Sequence, residues 1–238
     1  MNNTVPAVYQ GLWRRRLLTT PILRDDTTLV FWLQTASWHA DLRIPAGRPD
    51  FSGCVTLSDC SRAQLLALLG QEGFAGMTLI DGDTCEWQRY VDYRPTGLRD
   101  LGRMMFSPTA DAIEEYGVEA EYTEHWERVE EGDGSVDVCW STVARAQILW
   151  LRAGRRFMRV RDRPPADAGS RKYWYRLHEG TASDDDLRRL ADCEISFGEI
   201  AGQAGCILHS TLPWLEGQSL TLPIEMLPPQ PQTCSERK

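Results

Sequence analysis

The sequence lacks the short motifs that mark the commonest enzyme classes. It has no G-x-S-x-G elbow, no P-loop, no G-x-G-x-x-G and no H-E-x-x-H. The usual hydrolase, nucleotide-binding and zinc-protease mechanisms therefore have no local chemistry here. The histidines are scattered at positions 39, 125, 178 and 209, without metal-ligand spacing. We predict no metal site, no cofactor and no motif-defined catalytic residue.

The sequence also lacks a long apolar run and a hydrophobic segment behind a basic start. Export and membrane spanning are not expected, and the predicted compartment is the cytoplasm. The seven cysteines include no C-x-x-C pair and indicate reduced thiols. A net charge of -8 disfavours a nucleic-acid partner, because the phosphate backbone would repel the molecule. The oligomeric state is left open.

What the chain does have is hydrophobic material and self-similarity. It is 42% hydrophobic with nine tryptophans, enough for one large domain or two ordinary ones. The segment Tyr9, Trp13, Arg15 recurs with the same spacing as Tyr122, Trp126, Arg128. The same order continues through the pairs Trp32/Trp150, Leu42/Val160, Ser61/Ser183, Gly76/Gly198, Cys85/Cys206, Tyr93/Trp214 and Leu101/Leu222. We predict a first repeat at 1–118, a second at 119–227 and a disordered tail at 228–238.

Local patterns predict mostly strands. Residues 29–44 and 148–161 alternate around small-residue breaks, which is typical of hairpins with one buried face. Further strands are expected at 76–80, 84–93 and 101–106. Ser61 and Ser183 each begin a short helix with capping-box character. The predicted fold is mainly β, with two antiparallel β-barrels that each carry one short helix.

The segment Gly11-Leu12-Trp13 resembles the G-x-W of the lipocalin-like, or calycin, barrels. In that superfamily the first-strand tryptophan closes one end of the barrel, and a basic residue of a late strand packs over it. Trp13 and Trp126 match the tryptophan, and the basic residue has no assignment in the sequence. The two-copy layout is similar to the little-characterised fungal Hri-type proteins and bacterial relatives. That resemblance implies two lipocalin-like barrels and no established activity.

The sharpest candidate site is the strand segment 38–43. Alternation places His39, Asp41 and Arg43 on one face, with Trp38 on the other. If the polar face lines a barrel, His39 could act as acid or base, Asp41 could orient it and Arg43 could hold an anionic group. If it faces water, these are solvated residues of a one-sided sheet, and this second interpretation is favoured.

A second cluster, Glu86 with Arg89, could add charged groups to the same cavity. Its alternative is a surface ion pair across two strands, which is favoured on the same grounds.

Three functions remain open. The first is a small-molecule binding protein, with a small apolar or anionic ligand. The second is a protein-interaction scaffold whose barrels are filled by their own side chains. The third is an enzyme that uses His39, Asp41 and Arg43 in the first barrel. For ligand binding the candidate residues are Trp13, Trp38, His39, Asp41, Arg43, Glu86 and Arg89.

Overall fold

The structure, a computed structural model, describes residues 4–129, 135–165 and 171–227. The predicted tail at 228–238 lies outside these residues. Within them the chain forms two antiparallel sheets and three short helices, so the predicted mainly β fold is confirmed.

The first sheet is a closed barrel. Its strands are β1 (Gly11–Thr19), β2 (Arg24–Asp25), β3 (Leu29–Gln34), β4 (Trp38–Ile44), β5 (Glu72–Asp81), β6 (Thr84–Asp92), β7 (Leu101–Phe106), β8 (Ala112–Gly117) and β9 (Thr123–Val129). Each strand pairs with the next in the order β2-β1-β3-β4-β5-β6-β7-β8-β9. Strand β9 also pairs with β1, which closes β1 and β3 to β9 into an eight-stranded barrel.

The second sheet is a curled half-barrel of six strands. These are β10 (Val136–Val143), β11 (Ala146–Ala153), β12 (Arg156–Arg161), β13 (Glu194–Ala201), β14 (Ala204–Ser210) and β15 (Ser219–Thr221), paired in sequence order. A pairing between β10 and β15, which would close this sheet as β1 and β9 close the first, does not occur within the described ranges.

Three helices lie beside the sheets: α1 (Arg62–Leu68), α2 (Arg171–His178) and α3 (Asp184–Ala191). The predicted starts of α1 and α3 agree with the structure, where Ser61 and Ser183 are N-caps with complete capping boxes. Helix α2 was not predicted. The helices share a hydrophobic cluster that includes Leu65, Leu68, Tyr173 and Leu187. No helix in the described part of the chain is both long and apolar enough to cross a bilayer.

The strand expected to open the second repeat belongs instead to the first sheet. Strand β9 carries Trp126, and it pairs with β1 on one side and β8 on the other. Trp13 and Trp126 therefore lie in one hydrophobic interior rather than in two equivalent ones. The first sheet accordingly extends to Val129, past the predicted boundary at 118. The physical reason is closure, because a barrel needs its last strand to satisfy the free edge of its first.

The two sheets pack face to face across a shared core. The outer face of the barrel contributes residues such as Leu33, Ala40 and Leu42, and the half-barrel contributes Leu151 and Val160. Because these barrel residues alternate with inward-facing ones, β3 and β4 are buried on both faces. The barrel interior is a separate cluster.

Candidate functional site

Trp13 is fully buried in the interior cluster of the barrel. Its indole nitrogen donates to the Tyr9 carbonyl at 2.8 Å. The guanidinium carbon of Arg128, on β9, lies 4.1 Å from the centre of the Trp13 ring. Gly11 has a φ of +122°, and a Cβ there would lie 2.9 Å from Nη1 of Arg128, so glycine gives the arginine room. Arg128 is therefore a basic residue of the last barrel strand that packs over the Trp13 ring.

The polar face of β4 points into the barrel, so the favoured water-facing interpretation is wrong. His39 and Asp41 are buried. Ala40 and Leu42, on the opposite face of β4, pack against the second sheet, so the polar face is the one that faces the barrel interior. His39 Nδ1 lies 3.0 Å from Thr78 Oγ1, which in turn donates to Gln34 Oε1 at 2.8 Å. Burial, with a contribution from Arg89, lowers the pKa of His39 to about 3, so the ring is neutral near pH 7.

The barrel also holds a cavity of about 230 Å³. Leu18 and Thr20 line part of it. Its aromatic wall consists of Trp32, Phe74, Trp87, Tyr122 and Trp126. Its charged wall consists of Asp41, Arg43, Arg89, Asp100, Glu115 and Glu124. A concave space with apolar walls and a few converging polar groups is the usual form of a small-molecule site.

The guanidinium groups of the cavity wall are already paired. Arg43 Nε lies 2.7 Å from Asp41 Oδ1, and its Nη1 lies 3.6 Å from Glu124 Oε1. Arg89 forms an ion pair with Asp100. The Arg89 guanidinium also stacks on Phe74, with 3.7 Å between its central carbon and the ring centre. Each arginine of the wall is therefore positioned by a carboxylate and held against the barrel.

Glu124 is paired from behind the wall. Its Oε1 accepts a hydrogen bond from Arg15 Nη1 at 2.6 Å, and Arg15 also reaches Asp25 at 2.9 Å. Both Arg15 and Glu124 are buried, so this ion pair is screened little by solvent. It anchors β1 to β9 at the seam of the barrel.

Glu115 differs from the other wall carboxylates, because its hydrogen-bond partners are neutral. Oε1 accepts from the Tyr122 hydroxyl at 2.7 Å, and Oε2 accepts from the Trp126 indole nitrogen at 2.9 Å. A Cβ at Gly102 would lie 2.7 Å from Glu115 Oε1, and one at Gly117 would lie 2.5 Å from the Tyr122 ring. The two glycines make room for the hydrogen-bonded pair.

Burial dominates the titration of the wall carboxyls. It holds the pKa of Glu115 well above its usual range, and the nearby Glu124 adds to the effect. It also raises the pKa of Asp41, against the opposing charge of Arg43. The pKa of Tyr122 is raised by burial and by Glu115. Both shifts favour the protonated forms of Glu115 and Tyr122 in the barrel.

The structure brings three of the seven predicted ligand-binding residues to the cavity wall: Asp41, Arg43 and Arg89. Trp13 lies in the interior cluster below the cavity. His39 contacts Phe74, with ring centres 5.6 Å apart, and does not line the cavity.

The other two predicted residues lie away from the cavity. Trp38 packs on the outside against Tyr90 and Trp140, with ring centres 5.4 and 5.3 Å apart. Glu86 forms an ion pair with Arg99, which precedes β7, at 2.9 Å, whereas Arg89 of the same predicted cluster lines the cavity.

Four residues of the cavity wall were not predicted as site residues: Asp100, Glu115, Tyr122 and Glu124. Strands β8 and β9 carry an alternation that would have shown two of them, because Ile113 and Glu115 share one face, and Glu124 and Trp126 share another. The predicted domain boundary at 118 separates these two strands, and the repeat interpretation therefore hides the signal.

The second sheet has a filled interior. Trp150, Phe157, Ile207, Leu222 and Met226 pack together inside its curve. Arg159 lies over the Trp150 ring at 5.5 Å and forms an ion pair with Glu194. Among the residues that the structure describes, no group of three or more histidine, cysteine or acidic side chains could hold a metal ion.

Comparison with known proteins adds little to this geometry. No protein-family model matches the chain, and no curated protein matches it. The chain is similar to a solved structure, the uncharacterized protein YLR301w from Saccharomyces cerevisiae. The identity is 11%, the match covers 94% of this chain and 90% of the other, and the TM-score is 0.49.

Proposed function

We propose that the first barrel is a lipocalin-like barrel that binds a small molecule in its interior. The observation that carries the proposal is the cavity of about 230 Å³ with its aromatic and charged walls. Eight-stranded barrels are wide enough to hold one small ligand. The lipocalin-like assignment is supported by Gly11, Trp13 and Arg128, which combine a first-strand G-x-W with a late-strand arginine over the indole.

We also propose that the half-barrel arose by duplication of part of the barrel. Apart from the additional helix α2 between β12 and α3, the order β11-β12-α3-β13-β14 repeats the order β3-β4-α1-β5-β6. Ser61 and Ser183 cap the equivalent helices. Gly76 and Gly198 each follow an irregularity in the equivalent strands β5 and β13. The second copy stops after six strands, so ligand binding is proposed for the first copy alone.

The two alternative functions, a protein-interaction scaffold and an enzyme, require different arrangements of these residues. A scaffold with filled interiors fits the half-barrel but not the barrel, which contains the cavity. An enzyme would need His39 and Asp41 to act together. The structure instead bonds His39 to Thr78 and Asp41 to Arg43, and only Asp41 lines the cavity. Binding without chemistry therefore ranks first.

The test uses the tryptophan indole N–H resonances of the ¹⁵N-labelled protein. A library of phenol-, indole- and pyridine-sized compounds is titrated, and each resonance is assigned by a Trp→Phe variant. We expect binders to shift Trp32 and Trp126, which line the cavity, and to leave Trp140 unmoved. Trp140 is 49% exposed outside the barrel and is a built-in control.

A pair of variants locates the binding. Thr20→Trp places a large side chain in the cavity wall. Thr19→Trp is the control, because Thr19 is exposed and does not line the cavity. We expect only Thr20→Trp to weaken the binders. Binders that shift Trp140 but not Trp32, or a library without any binder, would show that the barrel is not a binding site.

A further inference from the structure

We propose that the ligand of the first barrel is a small protonated amine, and that Glu115 is its counter-ion. This inference rests on the proposed function and names the chemical class of the ligand. It follows from the charge balance of the cavity wall, from the position of Glu115 and from the aromatic surfaces around it.

Among the residues that the structure describes, the cavity wall has no unpaired cation for an anionic ligand. Its two arginines are each matched by a wall carboxylate, Arg43 by Asp41 and Arg89 by Asp100. The remaining paired carboxylate, Glu124, is held by Arg15 from outside the cavity. An anion would have to displace one of these carboxylates and leave it buried without its partner, which is unfavourable.

A cation, by contrast, finds an unmatched carboxyl group. Among the described residues, Glu115 has no arginine, lysine or histidine at ion-pair distance, and its bonds come from the Tyr122 hydroxyl and the Trp126 indole. The side chain is buried and lines the cavity. When an ammonium group binds, its positive charge stabilises the ionised form of Glu115, and the Tyr122 hydroxyl and the Trp126 indole donate to that carboxylate. The amine and Glu115 then form a buried pair whose charges balance.

The aromatic wall suits the same ligand. Trp87 and Trp126 both stand nearly perpendicular to Trp32, at interplanar angles of 79° and 72° and with ring centres 5.7 Å apart in each case. Such a corner presents ring faces from more than one direction, as in the aromatic cages that bind organic ammonium groups. The Trp126 indole also touches Glu115, so the corner and the counter-ion are adjacent.

The experiment compares three probes that share a phenyl ring and a short chain: phenethylamine, 2-phenylethanol and 3-phenylpropanoate. Affinities are measured by calorimetry at pH 7, with the Trp126 indole resonance as the site marker. We expect the wild-type protein to bind the amine at least about tenfold more tightly than the alcohol, and the carboxylate most weakly.

Glu115→Gln removes the charge and keeps an acceptor for the Trp126 indole. We expect it to abolish the preference for amine over alcohol, measured as the ratio of the two affinities in the same variant. Glu114→Gln is the matched control, because Glu114 lies on the same strand, is half-exposed and pairs with His125 at 2.8 Å. It should retain the full preference for the amine.

The outcomes separate this inference from the proposed function. If the alcohol or the carboxylate binds as tightly as the amine at the Trp126 site, the barrel is a binding site but its ligand is not an amine. Persistence of the amine preference in Glu115→Gln would remove Glu115 as counter-ion. If none of the probes binds and the compound library also fails, the proposed function is lost as well. The wild-type comparison needs no variant and decides the case even if Glu115→Gln does not fold.

Discussion

Replacing Arg128 by alanine should open one end of the barrel. The Arg128 side chain donates to the carbonyls of Ala110 at 2.9 Å, Gln10 at 2.7 Å and Val8 at 2.6 Å. Its guanidinium also covers the Trp13 ring. These contacts join β9, the β7–β8 connection and the segment before β1, so their loss releases three parts of the chain at once.

The magnitude follows from the contacts. Three hydrogen bonds contribute about 1 kcal/mol each after exchange with water, and the cation–π contact about 1 kcal/mol more. Water can reach some of the freed carbonyls, because Arg128 is only partly buried. We therefore expect Arg128→Ala to lower the free energy of unfolding by about 3 kcal/mol. Arg128→Lys, which keeps the charge over Trp13 and one donor, should lose about half of that.

The assay is urea unfolding followed by tryptophan fluorescence. For a chain of this size a loss of about 3 kcal/mol lowers the urea midpoint by about 1 M. Arg103→Ala is the control, since Arg103 is exposed and its contact with Asp83 is 3.9 Å long. If Arg128→Ala unfolds at the wild-type midpoint, or if Arg103→Ala loses as much, the Arg128 contacts do not hold this end of the barrel.

Three further changes probe other parts of the fold. Gly76→Ala should destabilise strongly, since its Cβ would lie 1.8 Å from the Gln88 carbonyl oxygen, whereas Gly53→Ala, with open space around it, should leave the thermal midpoint unchanged. His39 has a folded pKa of about 3, below the 6.5 of the unfolded chain, so its stabilising effect is complete above pH 6.5 and is lost as the pH falls toward 3. The free energy of unfolding, measured by urea titration across this window, should therefore fall less steeply with pH in His39→Gln than in the wild type, by up to about 1.4 kcal/mol per pH unit. Parallel profiles would refute the low pKa of His39. Ser183→Ala removes the N-cap of α3 and should cost about 1 kcal/mol in urea unfolding, and a cost near zero would mean that the cap contributes nothing.

The elements that the sequence predicted well are those that depend on residues close together in the chain. The expected hairpin at 29–44 is β3 and β4, and the strand at 101–106 is β7 with the same bounds. The caps at Ser61 and Ser183 were readable because a capping box involves residues only three positions apart. Alternation and capping are local, so a single sequence contains all the information that they need.

Closure of the barrel could not be predicted in the same way. Arg15 pairs with Trp126 across the β1–β9 seam, more than a hundred residues apart in the chain. The matching spacing of Tyr9, Trp13 and Arg15 with Tyr122, Trp126 and Arg128 suggested equivalent strands, but both segments face one interior and form its two closing edges. Similar patterns arise because both strands need an indole directed inward and a charged group near it.

The direction of the β4 side chains was misjudged for a related reason. Alternation separates His39, Asp41 and Arg43 from Ala40 and Leu42, but it cannot say which set faces the barrel when both faces are buried. A polar face turned inward is the opposite of the usual one-sided sheet. It is possible here because Arg43 neutralises Asp41 inside the barrel.

The half-barrel covers the outer face of β4, the strand that contributes Asp41 and Arg43 to the cavity wall. Ala40 and Leu42 are covered by the second sheet, and Asp41 and Arg43 stand on the opposite face of the same strand. Packing on one face therefore fixes the backbone that positions the charged groups on the other. Without the second sheet, the apolar outer face of β4 would be exposed to water. The filled half-barrel thus acts on the proposed site from a distance, as the support that allows an inward polar strand to stay in place.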